Sequence, residues 1–394
     1  MLASRASTRQ NSRRDFLLTI SEMVRSVSHD MLPIPTPDEA SRQRFIVAFK
    51  QVLTRELRST QQRLFDEVVA PQYARQHGHR PQTRAEIRAA MTAHPAWRSW
   101  SSFARAAQEQ MWRAVSDTVF RERARLAARA AALTAPGRRR GSLTLDPSLV
   151  PPRGMLAVDV HLQTGGYLLD LGSDDVSAGA LYEVGGNLYA FGNDISRNDS
   201  KARHVQAFLR ERFPALRPRR ILDMGCSAGA ASVPYALEFP AAEVHAIDVG
   251  AAMLRYAHAR AEALGAPIHF HQMDCAQTRF PDGFFDLVVS HNLMHEISDA
   301  TRRSMLRETW RLLAPGGVAV HQDIPLRFAE LTEFQRFDYS WDTLNNNEPY
   351  WEVFANADLA ADLRAAGIPA EQSHIGHLPR AAGSLPWFVV AIWK

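Results

Sequence analysis

Short apolar runs and helix-period segments alternate along the second half of the chain. The apolar runs are bounded by glycine, proline or acidic residues, which is typical of strands that are buried on both faces. The segments between them carry apolar residues three or four positions apart, which predicts amphipathic helices. We therefore predict strands at 220–224, 243–248, 267–273, 285–290 and 317–323, and helices at 230–238, 251–264 and 299–313. Alternation of this kind indicates a parallel sheet with helices on both faces.

Two further segments complete this predicted domain, which spans residues 200–394. An amphipathic helix is predicted from Lys201 to about Leu216, leading into the first strand. Near the end of the chain, residues 373–378 and 387–393 are joined by a loop too short for a crossover helix, so we expect them to pair antiparallel. The predicted fold class is α/β, with a doubly wound and mostly parallel seven-stranded sheet.

The first half of the chain shows a different pattern. Residues 1–40 are polar and are predicted to form a flexible tail, and residues 41–140 are predicted to form a helical accessory domain. Its first helix is expected to end at Pro71, because proline interrupts a helix. Between residues 150 and 195 the apolar period changes to two, which predicts a small β insertion of hairpins. One of these hairpins is expected to turn at Gly185–Gly186.

The segment Ile221–Ala230 reads as a buried strand, a tight glycine turn and the start of a helix. Gly225 and Gly229 allow a sharp turn and let a ligand approach the backbone closely. Dinucleotides prefer the spacing G-x-G-x-x-G, because their pyrophosphate lies on bare backbone amides. Here the spacing is D-x-G-x-x-x-G, and the carboxylate of Asp223 would repel a pyrophosphate. A ligand that carries an ammonium and a sulfonium group, such as S-adenosylmethionine, is compatible with that carboxylate.

Further segments extend this interpretation beyond one turn. Asp248 ends the second predicted strand about 20 residues after the glycine turn, where a ribose-binding acid is expected. Met253 follows on the next helix, and the segments 270–275, 285–291 and 312–318 follow in order. Together they make residues 201–394 resemble a class I S-adenosylmethionine-dependent methyltransferase, with a Rossmann-like fold. The sequence is most similar to the ubiquinone-biosynthesis-type and related small-molecule enzymes of that family.

The resemblance implies that S-adenosylmethionine is the cofactor. It also implies which side chains contact the cofactor: Asp248 on the ribose, Met253 on the adenine ring and Asp274 on the adenine amino group. The full set of implied cofactor-binding residues is Asp223, Gly225, Cys226, Ser227, Gly229, Asp248, Val249, Met253, Asp274, Cys275 and His291.

Two histidines follow the fourth predicted strand and are the candidate catalytic residues. Methyl transfer needs a general base only if the acceptor loses a proton, and imidazole titrates near neutral pH. His291 ends the strand and His295 lies one helical turn further on. The alternative is that one histidine packs against the pocket wall, held by Glu296. A zinc site made of His291, His295 and Glu296 is not expected, because H-E-x-x-H is absent, so no metal is predicted.

Aromatic and polar residues mark two candidate acceptor-binding segments. Tyr182 and Tyr189 precede the predicted sheet domain, where tyrosines of related enzymes often close over the methionine end of the cofactor; cross-strand packing is the preferred alternative. The segment 335–351 alternates aromatic side chains with amides and acids, as expected of a pocket for a planar or apolar substrate, although a surface lid has the same composition. The candidate substrate-binding residues are Tyr182, Tyr189, Asp338, Trp341, Asn346, Glu348 and Trp351.

Composition indicates the cellular compartment in which the protein is expected. The 394-residue chain is 46% hydrophobic and has only two cysteines, so a reduced, cytoplasmic protein is expected. No apolar run is long enough to predict a membrane span. Residues 12–17 resemble a twin-arginine export signal, but charged residues at Glu22 and Arg25 interrupt the apolar stretch that such a signal requires. A basic tail is the preferred interpretation.

Charge is distributed unevenly along the chain. Residues 1–140 contain 25 basic and 12 acidic residues, whereas the remainder has 21 and 30. A nucleic-acid partner is not favoured, because the arginines lack interleaved aromatics and because Ser290–Leu293 stands where base-modifying relatives carry a D/N-P-P-Y/F motif. The helical accessory domain is predicted to serve packing or homodimerisation, with a cap over the substrate pocket as the alternative.

The predicted function is therefore methyl transfer from S-adenosylmethionine to a small-molecule acceptor by in-line displacement. Two alternatives remain. One is an RNA or protein methyltransferase that docks through the basic N-terminal half. The other is a non-catalytic protein that binds S-adenosylmethionine.

Overall fold

An eight-stranded sheet forms the centre of the computed structural model, which describes residues 29–189, 191, 200–325, 327–378 and 387–394. The strands are β1 (Ser142–Thr144), β2 (Arg220–Met224), β3 (Glu243–Asp248), β4 (His269–Gln272), β5 (Phe285–His291), β6 (Leu313–Asp323), β7 (Ser373–Leu378) and β8 (Trp387–Trp393). Their order across the sheet is β1-β4-β3-β2-β5-β6-β8-β7. The strands β1 to β6 pair in parallel, and β8 is antiparallel to both of its neighbours.

The predicted sheet is confirmed, including its terminal antiparallel hairpin. Leu222 and Val288 lie in one buried cluster, whereas Ile221 and Leu287 lie in another. Successive residues of a strand point to opposite faces, so the sheet is covered on both sides, as the apolar runs predicted. The edge strand β1 was not predicted, because three residues are too short to show a period.

Helices cover both faces of the sheet. In the second half of the chain they are α8 (Ser200–Arg212), α9 (Ser232–Glu238), α10 (Ala251–Ala263), α11 (Asp299–Leu312), α12 (Glu333–Tyr339), α13 (Trp341–Asn345), α14 (Trp351–Ala355) and α15 (Leu359–Ala365). Short 3₁₀ turns occur at Phe328–Glu330 and Ala370–Gln372. The order of the strands reverses between β2 and β5, and ligands of open parallel sheets bind at the carboxyl end of such a switch point.

The N-terminal half is helical, as predicted. Its helices are α1 (Pro37–Gln51), α2 (Gln61–Leu64), α3 (Ala70–His77), α4 (Arg84–Ala93), α5 (Pro95–Leu133) and α6 (Arg153–Ala157), with 3₁₀ turns at Arg58–Thr60 and Val160–Leu162 and π-helical turns at Val52–Leu57 and Phe65–Val69. The prediction that Pro71 ends a helix is wrong. The chain is helical on both sides of Pro71, because the π-helical turn Phe65–Val69 runs directly into α3, with the Ala70 N–H bonded to the Phe65 carbonyl. Pro71 itself lies in the first turn of α3.

The predicted β insertion between residues 150 and 195 is also wrong. Its described part contains α6, the 3₁₀ turn and a further helix, α7 (Ser177–Tyr189). The glycines that suggested a hairpin turn serve close helix packing instead. A Cβ on Gly185 would lie 2.1 Å from the Trp112 ring of α5, and a Cβ on Gly179 would lie 2.3 Å from Tyr256 of α10. Tertiary packing therefore overrides the low helix propensity of glycine here.

The helical half packs directly on the sheet domain. The Arg84 guanidinium lies 2.7 Å from the Glu352 carboxylate, and that of Arg58 lies 3.0 Å from Asp338. Among the described helices, none is both long enough and apolar enough to cross a membrane. Most of the predicted flexible tail and the twin-arginine segment fall outside the described residues.

Candidate functional site

The carboxyl ends of β2, β3 and β5 enclose a cleft of about 710 Å³, part of it open to solvent. The glycine turn forms its floor. Gly225 has φ of +68°, and a Cβ there would come within 2.7 Å of Leu293. Ser227 has φ of +45°, which is uncommon for a residue that carries a Cβ. The turn is thus held in a conformation that brings its backbone to the surface of the cleft.

Asp248 ties the glycine turn to β3. One carboxylate oxygen accepts the N–H of Ser227 and the other accepts that of Gly250, both at 2.9 Å. Burial raises the pKa of Asp248, and the backbone hydrogen bonds oppose this rise. A carboxylate has about four lone-pair positions. Asp248 therefore keeps acceptor capacity for hydroxyl groups of a ligand in the cleft.

Asp223 lies beneath the turn rather than in the cleft. Its side chain is 1% exposed, and its carboxylate accepts the Ser232 hydroxyl at 2.5 Å. Burial raises the pKa of Asp223 to about 7. Cys226 and Gly229 likewise do not line the cleft. The predicted residues that do line it are Gly225, Ser227, Asp248, Val249, Met253, Asp274, Cys275 and His291.

The walls of the cleft combine apolar and acidic groups in a way that suits an adenosyl ligand. Met253 and Met273 provide apolar surface, and the Asp248 and Asp274 carboxylates are available to ribose and amino groups. Sequence reasoning missed the wall contributed from outside the sheet domain, which comprises Pro152, Met155 and Tyr167.

His291 lines the cleft, and both of its ring nitrogens have hydrogen-bond partners. Nδ1 lies 3.3 Å from Gln322 Oε1, and Nε2 lies 3.1 Å from the Tyr235 hydroxyl. Because an amide oxygen only accepts, Nδ1 carries the proton and the lone pair of Nε2 faces Tyr235. Burial lowers the pKa of His291 to about 3, so the ring is neutral at physiological pH.

The His295 ring, in contrast to that of His291, is positively charged at physiological pH. Its Nδ1 lies 2.6 Å from Asp323 Oδ1, and its Nε2 lies 3.5 Å from Glu296 Oε1. Burial disfavours the charged ring, but Asp323 outweighs it and raises the pKa of His295 to about 10. The two predicted catalytic histidines therefore differ in charge and are not joined in one hydrogen-bonded pair.

His161 joins His295 and Glu296, and sequence reasoning missed it. Its Nε2 lies 3.0 Å from Glu296 Oε1, and its Nδ1 lies 3.0 Å from Glu348 Oε1. The Tyr167 hydroxyl donates to the same oxygen of Glu296 at 3.0 Å. We call His161, His295 and Glu296 the histidine–glutamate cluster. Burial disfavours a charged His161 ring, but Glu348 and Glu296 raise its pKa well above the ordinary value.

A second cavity, of about 680 Å³ including open solvent, lies on the accessory-domain side of the cluster. Three predicted substrate residues line it, namely Tyr189, Trp341 and Asn346. The accessory domain contributes Lys50, Leu53, Thr54, Arg58, Trp100, Ala104 and Gln108, and Phe191 and Asp342 complete the wall. Asn346 links the cavity to the cluster, because its Nδ2 donates to Glu348 Oε1 at 2.6 Å and the same oxygen lies 3.0 Å from His161 Nδ1.

The other predicted substrate residues have different positions. Tyr182 lines the first cleft, and Asp338 pairs with Arg58 outside the second cavity. Glu348 is 1% exposed and holds His161. The Trp351 ring packs edge-on against His295 at 5.5 Å.

Two cations of the accessory domain, Lys50 and Arg58, face the second cavity. Lys50 donates to Gln108 Oε1 at 2.6 Å and lies 4.5 Å from the centre of the Tyr189 ring. Burial lowers the pKa of Lys50 to about 7. Arg58 is already paired with Asp338. Lys50 has no carboxylate partner within ion-pair distance among the described residues, so it is available to an anion.

Comparisons with known proteins agree with this geometry. Residues 221–317 match the family described as "Methyltransferase domain". The chain is 32% identical over 203 residues to trans-aconitate 2-methyltransferase of Deinococcus radiodurans, covering 47% of this chain and 72% of that protein. It is 35% identical over 108 residues to demethylmenaquinone methyltransferase of Thermus thermophilus, covering 27% of this chain and 48% of that protein. The chain thus spans about half the length of this second relative.

A solved structure is also similar. Phosphoethanolamine N-methyltransferase 2 of Haemonchus contortus, in complex with S-adenosyl-L-methionine, superposes with a TM-score of 0.40 at 17% identity. The superposition covers 52% of this chain and 55% of that chain.

Proposed function

The chain belongs to the class I S-adenosylmethionine-dependent methyltransferases, and we propose that it methylates a small carboxylic acid bound in the second cavity. The observation that carries this proposal is the position of Lys50. Among the described residues Lys50 has no carboxylate within ion-pair distance, and it faces a cavity whose Asn346 contacts the Glu348 carboxylate beside the histidine–glutamate cluster.

The cleft fits the cofactor of the family. Asp248 has acceptor capacity for the ribose hydroxyls, and Met253 provides an apolar surface for the adenine ring. S-adenosylmethionine supplies a methyl group on a sulfonium, so the acceptor oxygen bonds to that carbon while the electron pair of the broken bond stays on sulfur. The protein chiefly has to position the acceptor and exclude water. In this proposal the N-terminal helices position the acceptor, because they supply most of the wall of the second cavity.

An acidic acceptor also matches the chemistry of the histidines. A carboxylate has already lost its proton at neutral pH, so its methylation needs no general base. The lone pair of His291 Nε2 faces Tyr235, and His295 already carries a proton. The name of one relative gives a carboxylic acid, trans-aconitate, as its acceptor. A histidine general base stays a prediction.

The test is a methyl-transfer assay with labelled S-adenosylmethionine and a panel of small di- and tricarboxylic acids, phenols and amines. We expect turnover with one or more acids, and a KM for the acid that rises about 10- to 100-fold in K50M, because a hydrogen bond to a charged group contributes about 1.5–3 kcal/mol. K50R is the matched control, since it keeps the charge and should retain most of the affinity.

The proposal fails if only phenols or amines are methylated, or if K50M and K50R have the same KM as the wild type. Cofactor binding should be unchanged in both variants, because Lys50 does not line the cofactor cleft.

The accessory domain is then a cap over the acceptor cavity, the alternative that the sequence left open. Leu53, Trp100 and Gln108 form part of the wall. Homodimerisation through this domain and a cytoplasmic location stay predictions, and nucleic acid is not the expected partner.

A further inference from the structure

Three side-chain donor atoms converge between the cofactor cleft and the acceptor cavity. They belong to His161, His295 and Glu296, and all lie within 4.8 Å of one another. Glu296 Oε1 is 3.0 Å from His161 Nε2 and 3.5 Å from His295 Nε2. A tetrahedral ion with bonds of about 2.1 Å has donor–donor distances of about 3.4 Å. One ion therefore fits among these atoms with small movements of the side chains.

Each histidine of the cluster is backed by a buried carboxylate on its other ring nitrogen. Asp323 lies 2.6 Å from Nδ1 of His295, and Glu348 lies 3.0 Å from Nδ1 of His161. Both carboxylates are no more than 1% exposed. A metal-binding histidine almost always donates its second N–H to such a group, which fixes the ring and strengthens the donor nitrogen. Both Nε2 atoms lie near Glu296, so an ion that displaces their protons would have both imidazoles as donors.

The position of His161 is fixed from outside the sheet domain. Its backbone has φ of +56°, and its carbonyl accepts hydrogen bonds from Trp112 Nε1 at 2.5 Å and Gln108 Nε2 at 3.1 Å. The long helix α5 thus holds the ring against Glu296. A conformation of this kind persists only where the surrounding structure enforces it, and such positions concentrate at functional sites.

A buried oxygen beside the cluster is also left without a partner. Glu348 Oε1 contacts His161, but Oε2 has no hydrogen-bond partner within the described part of the chain. An unpaired buried carboxylate oxygen is costly.

We propose that His161, His295 and Glu296 bind one divalent transition-metal ion of the zinc, iron(II) or manganese(II) class. Two imidazoles and one carboxylate are a donor set for such ions, whereas magnesium and calcium prefer oxygen donors only. The site replaces the set His291, His295 and Glu296, from which no metal was expected. His291 is not a donor in this site, because its ring nitrogens contact Tyr235 and Gln322. His161 is the third donor instead, and no sequence motif indicated it.

The ion would complete the acceptor site, and this part of the inference rests on the proposed function. Three protein donors leave a coordination position open. The Tyr167 hydroxyl and Glu296 are in the lining of the cofactor cleft, and Asn346 and Tyr189 line the acceptor cavity. An acid that binds the ion through one oxygen can present another oxygen to the methyl group.

The test uses the full chain without a histidine tag, stripped of metal with a chelator and then titrated with Co²⁺ while its visible absorption is recorded. We expect one equivalent of Co²⁺ to bind, with ligand-field bands of nitrogen and oxygen coordination, and Zn²⁺ to displace it. Wild-type protein that binds S-adenosylmethionine but gives no such bands overturns the proposal.

Four variants localise the site. D323N removes only a carboxylate that contacts a donor histidine, and it should weaken Co²⁺ binding by about 10- to 100-fold. H161A and E296Q remove donors and should weaken Co²⁺ binding by more than that. H291A is the matched control, because it removes a histidine of the same cleft that is not a donor, and it should bind Co²⁺ as the wild type does. Equal affinity in wild type, H161A and E296Q would show that the cluster is only a network of ion pairs.

A parallel calorimetric titration with S-adenosylmethionine separates the two proposals. If the wild type does not bind S-adenosylmethionine, the proposed function is contradicted, whether or not Co²⁺ binds. Cofactor binding without Co²⁺ binding contradicts the metal site alone.

Discussion

Replacing Asp223 with asparagine tests how the glycine turn is built. Asp223 is buried at the end of β2, and its carboxylate has one side-chain hydrogen bond, from Ser232. Burial raises its pKa from 3.8 to about 7. At about 1.4 kcal/mol per pH unit, a shift of this size costs the ionised folded protein about 4 kcal/mol.

The sign of the pH dependence follows from proton binding. Between about pH 4 and pH 7 the folded state binds a proton at Asp223 that the unfolded state has lost, so this group makes the free energy of unfolding fall as the pH rises. Asparagine cannot ionise. The stability of D223N relative to wild type should therefore increase by about 3 kcal/mol between about pH 5 and about pH 8.

Urea denaturation followed by circular dichroism at these two pH values measures this difference. The comparison cancels steric effects of the substitution, which are the same at both pH values. S232A provides a second variant: it removes the hydroxyl that stabilises the ionised carboxylate, so it should lose more stability at about pH 8 than at about pH 5. A D223N difference that does not change with pH would refute the assignment of a raised pKa to Asp223.

Three further changes have defined outcomes. D248N should weaken S-adenosylmethionine and S-adenosylhomocysteine binding by about 10- to 100-fold in calorimetry, because a hydrogen bond to a charged group contributes about 1.5–3 kcal/mol; unchanged affinity would contradict the ribose assignment. G185A should lower the free energy of unfolding by about 1–3 kcal/mol in urea denaturation, because its Cβ would overlap the Trp112 ring; wild-type stability would show that α5 and α7 are not packed as described. The KM for an acid acceptor should rise as the pH increases through about 7, because Lys50 then loses its proton; a KM that does not change with pH in the wild type, or that changes equally in K50M, would exclude Lys50 from the acceptor site.

The sheet was predictable because each of its strands is specified locally. Apolar pairs such as Ile221 and Leu222 must both be buried, and only a sheet covered on two faces buries them. Asp248 and His291 both line the cleft, because the carboxyl ends of parallel strands meet at one edge; their contacts with the cofactor stay predictions. Asp223 is buried and does not line the cleft, since the pattern gives the end of a strand but not the direction in which its side chain points.

The acceptor side of the site was not predictable from local patterns. Helix α7 was predicted as a hairpin, because its glycines pack against Trp112 and Tyr256, residues that are distant in sequence. Lys50 and His161 carry no motif. They become site residues only because α1 packs against α5 and α5 packs against α10 of the sheet domain. These contacts join residues that are distant in sequence, so local sequence patterns do not predict them.

The central claim is that a cationic methyl donor, rather than a nucleotide pyrophosphate, binds at the turn between Asp223 and Gly229 with its ribose on Asp248. Calorimetry of the purified chain with S-adenosylmethionine, S-adenosylhomocysteine and a nicotinamide dinucleotide tests it directly. We expect one equivalent of each of the first two ligands to bind, and none of the third. Binding of the dinucleotide in their place would contradict the account.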